Sequence, residues 1–61
     1  MHNITVKVIE FNEDFVLYEY VDGGARAMSG RKHFPNVQAG QTWTLTLNGM
    51  HVENSELIKD V

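Results

Sequence analysis

The side chains able to do chemistry are few and scattered. Histidines stand at positions 2, 33 and 51, and the one local pairing is His51-x-Glu53, which on a strand shares a face opposite Val52. That spacing suits two zinc ligands or an acid–base pair, but two ligands do not make a metal site, and a solvent-facing pair beside a hairpin is the simpler reading. The chain has no Cys, which closes thiolate nucleophiles, thiolate metal sites and disulfides together. Ser29 and Ser55 lack the Gly-x-Ser-x-Gly frame that exposes a nucleophilic serine. Gly23-Gly24 is followed by no Gly-Lys-Ser/Thr and opens no helix, so it is not a phosphate-cradling loop. The paired carboxylates Glu13-Asp14 fall in a turn, where such residues bend the chain. The expectation is a non-enzyme with no catalytic residue, no metal and no cofactor.

The elements that position these residues are short strands, because apolar residues alternate and turn chemistry interrupts them at close intervals. Ile4 to Phe11 reads as a first strand, with Ile4, Val6 and Val8 on one face before Ile9 and Phe11 take over on the other. That change of phase predicts a bulge or a sharp coil near Val8-Ile9. After the polar turn Asn12-Glu13-Asp14, Phe15 to Val21 forms a second strand that is apolar on both faces: Phe15, Leu17 and Val21 on one, Val16, Tyr18 and Tyr20 on the other. Asp22-Gly23-Gly24 supplies the positive φ angles of a tight hairpin. A third strand starts near Ala25 and is expected to be interrupted at Ser29-Gly30, with a loop beyond. Pro35 to Gly40 reads as a compact turn that drops Val37 into the core. Gln41 to Leu47 is the clearest strand, with Trp43, Leu45 and Leu47 opposite Thr42, Thr44 and Thr46. Asn48-Gly49 predicts a hairpin into a fifth strand, Met50 to Glu53. The remainder, Asn54 or Ser55 through Lys59, reads as a short helical turn or a sixth strand. The expected fold is therefore all-β, a small five- or six-stranded barrel of the OB or SH3 type formed by residues 1–61 as one domain. A chain this short hides only about 60 % of its unfolded surface, so its core is thin.

Gly23-Gly24-Ala25-Arg26, followed by Pro35-x-Val37-x-x-Gly40 and a strand, resembles the small OB-like barrel of the hydrogenase-maturation chaperones over roughly Val6 to Leu47. The resemblance implies a fold and no activity. That family's metal-binding Cys at the second position is His2 here, and its His- and Gly-containing stretch after the fourth strand is replaced by Thr46-Leu47-Asn48-Gly49.

Charge is unevenly distributed and narrows the partners. The whole chain carries 5 Lys and Arg against 8 Asp and Glu, yet residues 23 to 52 hold Arg26, Arg31 and Lys32, with His33 and His51, and no acid at all. The first expectation is an adaptor or inhibitor that binds another protein, or itself, through Tyr18 and Tyr20, with Arg26, Arg31 and Lys32 steering the approach. The alternative is a barrel that binds single-stranded DNA or RNA through Arg26, Arg31, Lys32, His33 and Phe34. A net charge of −3 opposes it. A third is a nucleic-acid mimic presenting Glu10, Glu13, Asp14, Glu19 and Asp22. No apolar stretch approaches the roughly 20 residues of a membrane span, and Met1-His2-Asn3 opens no signal-like segment. A cytoplasmic location is expected.

Overall fold

The computed structural model describes residues 1–61 and is built almost wholly of strands. Strands β1 (His2–Phe11), β2 (Phe15–Tyr20), β3 (Arg26–Gly30), β4 (Thr42–Asn48) and β5 (His51–Lys59) make one sheet in the order β3-β2-β1-β4-β5, and every neighbouring pair is antiparallel. The only helix is a single 3-10 turn, Arg31–His33. No ladder joins β3 to β5, so these are the two edges of an open sheet. The Cα radius of gyration is 10.2 Å, against about 10.5 Å for a compact chain of this length.

The all-β expectation holds, and so does the bulge. β1 pairs with β4 through its first half and with β2 through its second, and the β1–β2 register slips between Val8 and Glu10. Ile9 is left without an opposite number there, which lets Val6 and Val8 face the core before the bulge and Phe11 after it. Gly23 and Gly24 both take positive φ, 94° and 74°, and turn the chain from β2 into β3 as their sequence predicts.

Eight buried residues form the core: Val6, Val8, Val16, Tyr18, Phe34, Val37, Trp43 and Leu45. An aromatic series runs through it. The Tyr20 and Tyr18 rings stack at 6.2 Å, Tyr18 meets Phe34 at 5.8 Å, and Phe34 meets Trp43 edge-on at 5.2 Å. The Pro35–Gly40 turn delivers Val37 to this cluster, as expected. Gln41 is the one buried polar residue. Its Oε1 accepts hydrogen bonds from the Gln38 backbone N–H (2.8 Å) and the Trp43 indole N–H (3.1 Å), while its Nε2 donates to Asp60 Oδ1 (2.8 Å).

Three expectations are corrected. Ser29-Gly30 do not interrupt β3: Ser29 pairs with Val16 and Gly30 with Phe15, and the Ser29 hydroxyl hydrogen-bonds the Tyr18 phenol at 2.8 Å. The two-residue turn between β4 and β5 is Gly49-Met50 rather than Asn48-Gly49, because Asn48 pairs with His51. Gly49 then holds the first central position at φ 63°. Finally, Asn54–Lys59 are neither a helical turn nor a sixth strand. They continue β5 along β4, with Leu45 opposite Ser55 and Trp43 opposite Leu57. Six residues cannot sustain a helix without packing, whereas the free edge of β4 satisfies their backbone groups at once.

Candidate protein-interaction surface

β2 decides which apolar residues are available, since its two faces compete for one core. Val16 and Tyr18 point inward, and Tyr18 is only 4 % exposed. The expectation that Tyr18 belongs to an open docking face is therefore corrected, whereas Tyr20 is half-buried. Both line a groove of about 250 Å³ between β3 and the β4–β5 hairpin, whose walls include Met28, Leu47 and Val52, and half-buried Tyr20 also borders a second depression with Ile4 and Val21. Burial pushes the Tyr18 phenol above its ordinary pKa of 10.0; the Ser29 hydrogen bond opposes that rise, and neighbouring Tyr20 adds to it.

The opposite face of β2 is the exposed one. Phe15 is 48 % and Met28 57 % exposed, and Leu17 lies between them and Glu10, opposite Met28 on β3 and opposite Glu10 on β1. Together with Phe11 and Asn12 they line a shallow depression of about 280 Å³. Asn12 holds the tip of this surface: its Oδ1 accepts the backbone N–H groups of Asp14 and Phe15, both at 2.8 Å, which fixes Phe15 at the start of β2. The other exposed apolar side chains of the sheet region, Val21 after β2 and Leu57 and Ile58 near the end of β5, do not line this depression. Across β1, β4 and β5, Asn3, Thr46 and Asn54 form one cross-strand row, and Thr5, Thr44 and Glu56 another.

Alternation of hydrogen bonds leaves half of β3 unpaired. The Tyr20 N–H donates to Ala25 and the Arg31 N–H to Asp14, so the intervening ladder runs through Ala27 and Ser29. The backbone N–H and C=O groups of Arg26, Met28 and Gly30 consequently point away from β2, along the free edge of the sheet.

The basic residues do not gather into one patch. Arg26 pairs with Glu19 at 3.3 Å, in a contact largely open to water. Arg31 stands at the other end of β3, its guanidinium 4.9 Å from the centre of the Phe11 ring and its Nη1 donating to the Asn12 carbonyl at 3.0 Å. The two arginines thus bracket the apolar surface at its ends. Lys32 is exposed and His33 half-buried in the 3-10 turn, which Ser55 ties to β5 by donating its hydroxyl to the His33 carbonyl. Phe34, expected to stack on a base in the nucleic-acid reading, is 0 % exposed, so that expectation is corrected. Its ring fills the space between Tyr18 and Trp43. The acids divide in the same way: Glu10, Glu13 and Asp14 lie at one end of β2 and Asp22 at the other. His51 and Glu53 are both exposed, with Val52 between them packed against the core. Glu53 accepts the Asn48 side-chain amide at 3.2 Å.

Sequence reasoning missed Phe15, Leu17 and Met28. A usable signal existed in β3, where the hairpin places small Ala27 and Ser29 beside Tyr18 and Val16. Bulky tyrosine rings inside a thin core need small neighbours, whereas Met28 accompanies the outward residues. Comparison with protein-family models, curated proteins and solved structures finds no match to the chain.

Proposed function

We propose that this domain is a non-enzymatic protein-binding module, an adaptor or inhibitor, that docks through the outer face of β2 and β3. The observation that carries the reading is the contiguous row of exposed Phe15 and Met28 with half-buried Leu17 beside them, with Arg26 and Arg31 at its two ends. Apolar and methionine side chains at the centre with arginine at the rim are the usual composition of a protein interface. Tyr18 and Tyr20 support that face from behind rather than touching the partner. In fold terms the proposal is a partly open OB-like barrel whose unclosed gap lies between β3 and β5. The absence of Cys suits a reducing, cytoplasmic compartment. No function is carried over from the chaperone resemblance, because His2 stands at that family's cysteine position.

The test compares proteins retained from host extract by the wild type, Leu17→Lys, Met28→Lys and Thr44→Lys, the last on the polar part of the sheet. The expected outcome is a polypeptide retained by the wild type and Thr44→Lys and lost from both β2–β3 variants. Equal retention by all four proteins overturns the reading.

A further inference from the structure

We propose that Asn48-Gly49 is a site of spontaneous deamidation, and that conversion of Asn48 to aspartate or isoaspartate loosens the β4–β5 hairpin. The reacting groups belong to the chain itself, the side-chain amide of Asn48 and the backbone nitrogen of Gly49, and water completes the reaction.

A backbone nitrogen reaches the preceding asparagine side chain only where nothing crowds it and no acceptor holds its N–H. Gly49 has no side chain, an added Cβ there meets no atom within 4 Å, and its N–H makes no backbone hydrogen bond. Asn48, Gly49 and Met50 are all exposed, so water has access to the amide. Asn48–His51 is the last pair of the β4–β5 ladder, where local opening costs least. Each such opening lets the Asn48 backbone turn and brings the Gly49 nitrogen onto Cγ.

The other asparagines lack this combination. Asn3 and Asn36 precede the branched Ile4 and Val37, and the Val37 N–H is already given to the Phe34 carbonyl at 3.2 Å. The Asn12 carboxamide oxygen is held by the N–H groups of Asp14 and Phe15. Asn54 lies inside the ladder opposite Thr46, and Ser55 after it is opposite Leu45.

The atoms balance without a further reactant. The Gly49 nitrogen gives up its proton and bonds to Asn48 Cγ, the Cγ–Nδ2 bond breaks, and Nδ2 leaves with that proton as ammonia. One water then opens the cyclic imide at either carbonyl. Cleavage of the new bond yields aspartate; cleavage of the original peptide bond yields isoaspartate, whose main chain is longer by a methylene.

The consequence follows from what Asn48 touches. Its Nδ2 donates to Glu53 Oε1 at 3.2 Å. Either product puts a carboxylate in place of that donor, so an attractive contact becomes a like-charge one. Isoaspartate also displaces the Asn48–His51 pair. Leu47, Gly49, Met50 and Val52 of this hairpin wall the groove that Tyr18 and Tyr20 line, so the change reaches that groove as well.

Folded wild type is aged in mildly alkaline buffer beside Gly49→Ala, then digested and mapped by peptide mass, with isoaspartate read by enzymatic methylation. Conversion is expected to concentrate at position 48, with isoaspartate among the products, and to slow at least about tenfold in Gly49→Ala even though that variant weakens the turn. No conversion at position 48, conversion spread evenly over the asparagines, or equal rates in wild type and Gly49→Ala overturns the site. Urea unfolding of Asn48→Asp reads the consequence separately: its midpoint is expected to fall below that of the wild type and to recover when Glu53→Gln is added. An unchanged midpoint, or a loss that Glu53→Gln leaves in place, overturns the effect on the hairpin.

Discussion

Tyr18 performs two tasks that pull its chemistry in opposite directions. Its ring belongs to the aromatic series of the core, and its hydroxyl needs Ser29 because a buried phenol without a partner is costly. Burial raises its pKa above 10.0. A folded-state pKa above the unfolded one means that the native state holds its proton where the unfolded chain releases it, so stability is full below about pH 10 and falls as pH rises towards the folded value. Tyr18→Phe is expected to cost about 0.5–1.5 kcal/mol at neutral pH through the lost hydrogen bond and to flatten this alkaline limb. Urea unfolding followed by Trp43 fluorescence between about pH 8 and about pH 11 checks both; an unchanged limb in the variant shows that another group causes it. Gln41 is the other residue with divided duties, since its single amide serves the 35–40 turn, the indole of Trp43 and the carboxylate of Asp60.

Individual strands show how local pattern and pairing combine. β1 is long enough to serve two neighbours only because the Val8–Glu10 irregularity re-aims its side chains, and that device is visible in the sequence as a change of apolar phase. β2 is ambiguous by the same logic, being apolar on both faces; which face is buried follows from the small residues of β3 and the ring of Phe34, which arrive from elsewhere in the chain. The β4–β5 hairpin turns on Gly49 at φ 63°, where an added Cβ meets no atom within 4 Å. Gly49→Ala therefore carries a backbone penalty alone, expected at about 1–2 kcal/mol, and Gly49→Asn a smaller one. The ratio of the two urea midpoints is the measurement, and equal losses show that the turn does not hold this conformation.

For the molecule as a whole, the folded arrangement disperses the charge contrast seen along the chain. The basic middle segment is spread from one end of β3 to the other, with Arg26 neutralised by Glu19 and Arg31 spent on Phe11 and the Asn12 carbonyl. Three cations contacting phosphate on a single strand produce a log–log salt slope of about −2. Dispersed as they are, on a chain of net charge −3, they are expected to produce no salt-dependent binding. A titration against labelled single-stranded oligonucleotides at two salt concentrations checks this, and a slope near that value restores the nucleic-acid reading.

The strand class, the bulge in β1, the Gly23-Gly24 hairpin and the seating of Val37 and Trp43 were all legible in the sequence, because each depends on residues within a few positions of one another. What only the tertiary structure decided depends on distant pairing. The tail from Asn54 became strand because β4 offered an edge, and Phe34 became core because Tyr18 and Trp43 left it a space. Tyr18 was buried and Leu17 left half-exposed, although strand alternation treats the two alike. One sheet has one inside, and packing of the whole chain chooses which face of β2 it receives.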